Sequence, residues 1–136
     1  MRILLLFLLL AGCKEEAKLS KELNLSLKSL MGLYGQPDKI IESKRSKGSF
    51  LYLYPNNLKF QIENKSVTAV FRDPDKFEKS IQYWRHLLNK FPYTIVKGNE
   101  EFLSKLNCPI KGLDILFDNK SGQVVRVINY NVGGEV

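Results

Sequence analysis

Residues 50–72 read FLYLYPNNLKFQIENKSVTAVFR, and this stretch decides the fold. From 58 to 63 apolar residues alternate with polar ones, which is the two-residue period of a half-buried strand. Pro55-Asn56-Asn57 and Asn64-Lys65-Ser66 are turn sequences that separate this run from its two neighbours. The stretch predicts three successive antiparallel strands, with one apolar face and one partly wet face, at 50–54, 58–63 and 67–72.

The segment before this stretch predicts one helix and one further strand. Apolar residues recur at helical spacing from 23 to 34, and Gly35-Gln36-Pro37 ends that helix because proline cannot continue its hydrogen-bond ladder. A strand is predicted at 39–43, and a turn at 44–48 joins it to the strand at 50–54.

The segment after it predicts two helices and three strands. We expect Asp73 to cap a helix that has Pro74 at its first position, and Pro92 to end that helix. Its apolar stripe should pack in the core and consists of Phe77, Ile81, Trp84, Leu88 and Phe91. A shorter helix is expected from Asn99 to Leu106, ended by Asn107-Cys108-Pro109. The strands are predicted at 93–97, 113–117 and 123–130, the last two joined by a turn at 118–122.

The composition suits one compact domain, because 136 residues with 44% apolar side chains can bury a single core. The predicted fold class is α+β, an antiparallel β-meander with helices packed on one face, over residues 23–136. The segment 113–121 echoes 58–66, and Pro37 and Pro109 each follow a predicted helix. Two degenerate helix-plus-strands repeats would explain this echo, the second lacking its first hairpin, and chance similarity between hairpins is the alternative.

The N-terminus resembles a bacterial lipoprotein signal peptide, which would occupy residues 1–12. Arg2 supplies a positive charge, residues 3–10 are unbroken apolar sequence, and Leu10-Ala11-Gly12-Cys13 matches a lipobox. As a helix the apolar run rises only about 12 Å, whereas the hydrocarbon core is about 30 Å thick, so it is no stable membrane span. A buried N-terminal strand or helix is the alternative.

The lipoprotein resemblance implies cleavage before Cys13 and a covalent anchor on that residue. The Cys13 sulfur would carry diacylglycerol and its amine a further acyl chain, and two or more chains give firm anchorage. Residues 13–22 would form the lipidated tether, and Lys14 favours the outer membrane over the inner one. The bilayer is then one partner of the protein, and no cofactor besides these acyl chains is predicted.

The domain resembles the SmpA/OmlA family of small outer-membrane lipoproteins and the fold shared with β-lactamase inhibitor protein. The matching residues are the helix-ending sequence 33–39, the aromatic strand Tyr52-Leu53-Tyr54 and the hairpin from Leu58 to Val70. This resemblance implies a helix that ends in a Gly-x-Pro turn before an antiparallel sheet. It also implies a binding role, since the family assists insertion of outer-membrane β-barrels and the fold otherwise hosts protein-binding inhibitors.

No residue pattern predicts an enzyme or a metal site. His86 is the only histidine and has no patterned partner, so a surface position is expected. Cys108 lacks a CxxC or Cys-His pattern, which favours burial as a small apolar side chain. Four carboxylates are expected at helix starts, where they offset the macrodipole: Asp73, Asp75, Glu100 and Glu101. We therefore predict a protein that is not an enzyme.

The charge suggests an anionic surface as a candidate ligand. The chain carries +7, and +6 remains after loss of Arg2, from 20 basic and 14 acidic residues. Lys44, Arg45 and Lys47 concentrate on one predicted turn and are the candidate contacts, with a solvated hairpin tip as the alternative. Nucleic acid is disfavoured because an exported lipoprotein rarely meets it.

Two functional hypotheses follow from the sequence. The leading one is a membrane-anchored envelope lipoprotein that acts as a non-enzymatic protein-binding or assembly accessory. The alternative is a binder of anionic lipid or envelope glycan through the basic hairpin and the aromatic strand face formed by Phe50, Tyr52 and Tyr54.

Overall fold

The computed structural model of the chain describes residues 20–98 and 103–132, which form one mixed α+β fold. The predicted signal peptide and Cys13 lie outside the described residues. The helices are α1 Leu27–Tyr34 and α2 Ile81–Leu87. The strands are β1 Lys39–Glu42, β2 Ser49–Tyr54, β3 Leu58–Glu63, β4 Ser66–Arg72, β5 Thr94–Val96, β6 Ser104–Cys108, β7 Leu113–Phe117 and β8 Val124–Tyr130.

The described strands form one antiparallel sheet in the order β1-β2-β3-β4-β8-β7-β6-β5. Within each half, neighbouring strands follow one another along the chain. The halves join where β4 pairs with β8, with Phe71 opposite Ile128 and Arg72 opposite Val127. The sheet therefore has β4 and β8 at its centre and β1 and β5 at its edges.

Both helices pack on the same face of the sheet. Leu30 of α1 is buried in a first cluster that includes Phe60 and Val70. Trp84 of α2 is buried in a second cluster that includes Val127. Val70 is two residues before Arg72 in β4, and Val127 is opposite Arg72 in β8. Both valines therefore lie on the same face of the sheet as Arg72. The opposite face of the sheet carries neither helix.

The strand predictions on either side of 50–72 agree with the structure to within two residues, and the first helix is shorter than expected. Helix α1 begins at Leu27, because Ser26 is its N-cap and accepts a hydrogen bond from the Ser29 backbone N–H at 3.1 Å. Leu23 and Leu25 precede the helix, yet both still pack against the first cluster.

The prediction of a helix opened by Asp73-Pro74 is wrong, since α2 begins only at Ile81 with Ser80 as its cap. Residues 76–79 form a turn instead, in which Asp75 Oδ1 accepts from the backbone N–H of Phe77 at 3.1 Å and of Glu78 at 3.2 Å. Phe77 is consequently 72% exposed and leaves the predicted stripe.

An ion pair explains why this turn persists. Arg72 Nη1 and Nη2 lie 2.5 and 2.9 Å from the two carboxylate oxygens of Glu78, which is 6% exposed. Burial alone would lower the pKa of Arg72, but the hydrogen bonds and charge of Glu78 outweigh burial and raise this pKa above its usual value. Trp84 Nε1 donates to the Glu78 carbonyl at 2.8 Å. Glu78 is thus held against the sheet and against α2.

The predicted helix at 99–106 is also wrong where the structure describes it. Residues Ser104–Cys108 form strand β6, with Ser104, Leu106 and Cys108 buried at the two-residue period of a strand. Asn99 to Phe102 lie outside the described residues. The second half therefore contains a first hairpin, β5 with β6, which the predicted second repeat lacks. Pro109 begins a 3₁₀ turn between β6 and β7 and ends no helix.

Candidate interaction surface

The face of the sheet opposite the helices, which we call the open face, carries apolar side chains on β1, β2 and β4 of the first half, while β3 between them contributes Lys59, Gln61 and Glu63. No helix or strand of the described chain covers it. Ile41 is 41% exposed there, and the other members are half-buried. They are aligned by the strand register and comprise Ile41 of β1, Leu51 and Leu53 of β2, Phe71 of β4 and Ile128 of β8. Such a surface is what a partner protein can bury.

A shallow cleft of about 260 Å³ lies on the open face beside the β1–β2 hairpin. Ile41, Leu51 and Phe71 line its apolar part, and Ser49 and Gln61 its polar part. Gln61 Nε2 donates to Ser49 Oγ at 3.1 Å, so these two polar groups satisfy each other. Pockets for drug-sized ligands usually measure about 300–1,000 Å³, and this smaller, open cleft suits a protein contact better.

The open face carries a polar hydrogen-bonded group in the second half. Asn107 Nδ2 donates to Asp114 Oδ1 at 2.6 Å and to the Tyr130 hydroxyl at 3.0 Å. Burial raises the pKa of Tyr130, and the charge of Asp114 raises it further, while the hydrogen bond from Asn107 acts in the opposite sense. Apolar side chains on this face of the second half are Leu116 of β7 and Val96 of β5, which both lie opposite Lys105 of β6.

Lys44, Arg45 and Lys47 form the basic tip of the β1–β2 hairpin, and all three are exposed. Two hydrogen bonds hold the turn: the Ser43 N–H donates to the Ser49 carbonyl at 2.8 Å, and the Gly48 N–H donates to the Glu42 side-chain Oε2 at 3.4 Å. The one ion pair within the described residues is Arg72 with Glu78, so none of the three cations forms an ion pair with a described carboxylate. The fold thus brings three unpaired cations to one end of the open-face cleft, which Ser43 and Ser49 also line.

The aromatic strand face is not the ligand surface that the alternative hypothesis expected. Phe50, Tyr52 and Tyr54 lie on the helix side of β2 and pack in or against the first cluster. Tyr54 is 7% exposed, and its hydroxyl donates to the Gly35 carbonyl at 2.9 Å. The rings contribute to the core because α1 lies over them.

The remaining candidate residues lie apart from this surface. His86 is exposed on α2, as expected, and Cys108 is fully buried in the second cluster, where burial raises its thiol pKa. Asp75 caps a turn rather than a helix, and Asp73 accepts a hydrogen bond from Asn57 at 3.3 Å. Glu100 and Glu101 lie outside the described residues.

Two general properties of the described chain bear on these candidates. It contains no group of three or more metal-ligating side chains. None of its helices has the length and apolar character needed to cross a bilayer.

Sequence reasoning missed the open face, although the sequence carries a signal for it. The run Phe50–Tyr54 is apolar at every position, whereas a strand with one wet face alternates. Ile40-Ile41 has the same character in β1. An uninterrupted apolar strand places apolar side chains on both faces, and only one face of this sheet carries helices.

Comparison with known proteins identifies the fold alone. No protein-family model matches this chain, and no curated protein matches it either. The chain is similar in structure to a cysteine-rich secretory protein from Staphylococcus aureus subsp. aureus Mu50, with a TM-score of 0.56 and 12% identity over 84% of this chain and 46% of that one.

It is also similar to an extracellular protein containing an SCP domain from Bacillus anthracis str. Ames, with a TM-score of 0.55 and 11% identity over 85% of this chain and 48% of that one. This chain spans less than half the length of either protein.

Proposed function

We propose that this protein is a lipid-anchored envelope protein whose domain binds another envelope protein through the open face of its sheet. The observation that carries the proposal is the apolar part of that face, Ile41, Leu51, Leu53, Phe71 and Ile128, which no described element covers. The partner would present an apolar surface bordered by acidic groups, because the unpaired basic tip adjoins the cleft.

The sequence supports the envelope part of the proposal. The lipobox Leu10-Ala11-Gly12-Cys13 would place two or more acyl chains on Cys13, with Lys14 favouring the outer membrane. The resemblance to the SmpA/OmlA family, whose members act by binding, points to the same compartment.

We also propose that the sheet consists of two degenerate repeats, each a helix followed by a four-stranded meander. Ser26 caps α1 and forms a β-bridge with Ser66, the first residue of β4. Ser80 caps α2 and forms a β-bridge with Gln123, the residue just before β8. In both cases the first helical N–H donates to the carbonyl of the residue just before the bridged one: Leu27 to Lys65 at 2.7 Å and Ile81 to Gly122 at 2.8 Å.

Three further correspondences support this repeat. Leu30 and Trp84 stand four residues after the capping serines, and both are fully or almost fully buried. The echoing segments supply β3 and β7, the third strand of each half. Pro92, rather than Pro109, corresponds to Pro37, because each precedes the first strand of its half.

The anchor is tested by Cys13→Ala in the native host. Lipid labelling should be lost and the protein should leave the membrane fraction, while the domain stays folded, because anchorage would come from the acyl chains. Metabolic palmitate labelling, membrane fractionation and circular dichroism measure these three properties. Equal labelling of the wild type and the variant would reject the lipoprotein assignment.

The binding surface is tested by site-specific photo-crosslinking in living cells. We replace Phe71 on the open face with p-benzoyl-phenylalanine, and as a matched control replace Phe77, which is more exposed but lies outside that face. A discrete adduct formed from position 71 and absent from position 77 is expected. Adducts from position 77 alone, or from neither position, would contradict binding through the open face.

The second candidate function is contact with an anionic lipid or glycan surface. The observation that favours it is the basic tip, Lys44, Arg45 and Lys47, exposed and unpaired within the described residues. Basic side chains near an anionic bilayer each contribute about 1 kcal/mol. This function would use the tip alone, because the aromatic rings of β2 belong to the core.

A further inference from the structure

The outer edge of β1 has backbone groups that face no other strand of the described chain. β1 stands first in the sheet order and pairs only with β2. Ser43 donates to Ser49 across the hairpin, so Ile41 and Lys39, at two-residue steps from Ser43, also turn their backbone groups toward β2. The N–H and C=O groups of Ile40 and Glu42 therefore point outward.

This edge has some of the features that prevent pairing with another chain and lacks others. Natural edges are protected by short length, charged side chains, proline, bulges or inward-pointing charges. β1 is only four residues long and has Lys39 and Glu42 at its ends, but it has no proline and no register shift, and its central residues are Ile40 and Ile41, which are 50% and 41% exposed. The opposite edge strand, β5, has only three residues. β1 is thus the better template for an added strand.

Charge indicates what kind of strand would be added. The basic tip follows directly after the C-terminal end of β1, so an antiparallel segment would bring its N-terminal residues beside Lys44, Arg45 and Lys47. A second copy of the chain is the less suitable occupant, because each anchored copy would carry +6 after loss of Arg2, and like charges oppose association. Acidic residues at the head of the added strand would neutralise the tip.

We infer that β1 binds an extended segment of the partner protein as a ninth, antiparallel strand, with acidic residues at its N-terminal end. Backbone pairing to Ile40 and Glu42 would supply affinity, and alternate side chains would cover Ile40 on the helix side and Ile41 on the open face. This inference rests on the proposed function and specifies how the partner is recognised.

The test uses a synthetic peptide as the defined probe, with the sequence Asp-Glu-Glu-Thr-Val-Thr-Val-Thr, and the full chain in detergent micelles. Fluorescence anisotropy measures its Kd, and hydrogen exchange reports protection of the Ile40 and Glu42 amides. One control peptide replaces the three acidic residues with lysine. The other carries N-methyl groups on the valine amides, which keeps the side chains and removes backbone donors.

We expect each control peptide to bind at least tenfold more weakly, and the two amides to become protected by the acidic peptide alone. Ile40→Pro should abolish binding, since it removes an outward N–H without removing a bond to β2. Two results would overturn the inference even if the Ile40→Pro variant failed to fold. One is equal affinity of the N-methylated and the unmodified acidic peptides, and the other is protection of the β5 amides instead of the β1 amides.

If the chain instead forms a concentration-dependent dimer that excludes the peptide, a second copy occupies the β1 edge, and this result would also overturn the inference. The Phe71 crosslink separates this failure from failure of the proposed function. A crosslinked adduct at position 71 without peptide binding would reject strand addition at the β1 edge but would still support binding through the open face.

Discussion

Trp84 is the residue on which the second half of the core depends most. Its side chain is 1% exposed, its indole N–H donates to the Glu78 carbonyl, and its ring meets Tyr83 edge-on at 5.6 Å between centroids. The indole therefore fills the space between α2 and the sheet and also fixes the turn that precedes the helix.

Trp84→Ala should lower the free energy of unfolding by about 3–5 kcal/mol, because it removes a large buried side chain and leaves a cavity. Urea titration followed by circular dichroism measures the loss. Arg85→Ala, at the exposed neighbouring position, is the control and should change stability by no more than about 0.5 kcal/mol. Equal effects of the two substitutions would mean that the indole is not part of the core.

Gly112 occupies a backbone conformation that an L side chain resists. Its φ is +61°, and a Cβ atom there would lie 2.2 Å from the Tyr130 carbonyl oxygen. Gly112→Ala should therefore cost at least about 2 kcal/mol, from left-handed strain and a clash with backbone. Gly32→Ala, inside α1 with nothing within 4 Å of the new atom, should instead stabilise by about 0.5–1 kcal/mol. Thermal unfolding of both variants gives the two signs, and a destabilised Gly32→Ala would contradict this reading of α1.

At the level of secondary structure, the strands could be predicted from the sequence because their alternation is local. The segments 58–63 and 113–117 coincide with β3 and β7. The start of α2 could not be predicted from the sequence. Asp73-Pro74 is a favourable local helix start, and the Arg72–Glu78 ion pair that overrides it is a tertiary contact. The sequence predicts a helix over part of β6, because the local pattern does not show that Ser104, Leu106 and Cys108 are buried once β6 lies between β5 and β7.

The Arg72–Glu78 pair should show unequal costs when one partner is removed. Arg72→Met leaves a carboxylate on a side chain that is 8% exposed, so we expect a loss of about 3 kcal/mol. Glu78→Leu leaves a guanidinium on a side chain that is 25% exposed and can reach water, so its loss should be smaller. The double variant should cost less than the sum, which a double-mutant cycle in urea measures. Strict additivity would mean that the pair does not hold the turn.

At the scale of the whole molecule, the helices and the basic tip occupy different parts of one sheet. The sequence predicted the tip residues and their exposure, since a turn rich in lysine and arginine points into water. It could not predict that the tip would adjoin an uncovered apolar face. That arrangement depends on both helices packing on the same side, which follows from how β4 and β8 pair at the centre.

The last prediction concerns the basic tip and distinguishes vesicle binding through its three local charges from vesicle binding through the net charge of the protein. Replacing Lys44, Arg45 and Lys47 together by Gln, in an unlipidated Cys13→Ala background, should weaken binding to phosphatidylglycerol vesicles by up to about 3 kcal/mol at low salt. The matched control replaces Lys65, Lys76 and Lys120, which are equally exposed but lie on other turns, and so removes the same three charges. Vesicle co-sedimentation should show a smaller loss for the control. The difference should fade as the Debye length shrinks from about 30 Å at 0.01 M salt to about 8 Å at 0.15 M. Equal losses would mean that the bilayer senses only the net charge, and the tip would then remain available to an acidic protein partner.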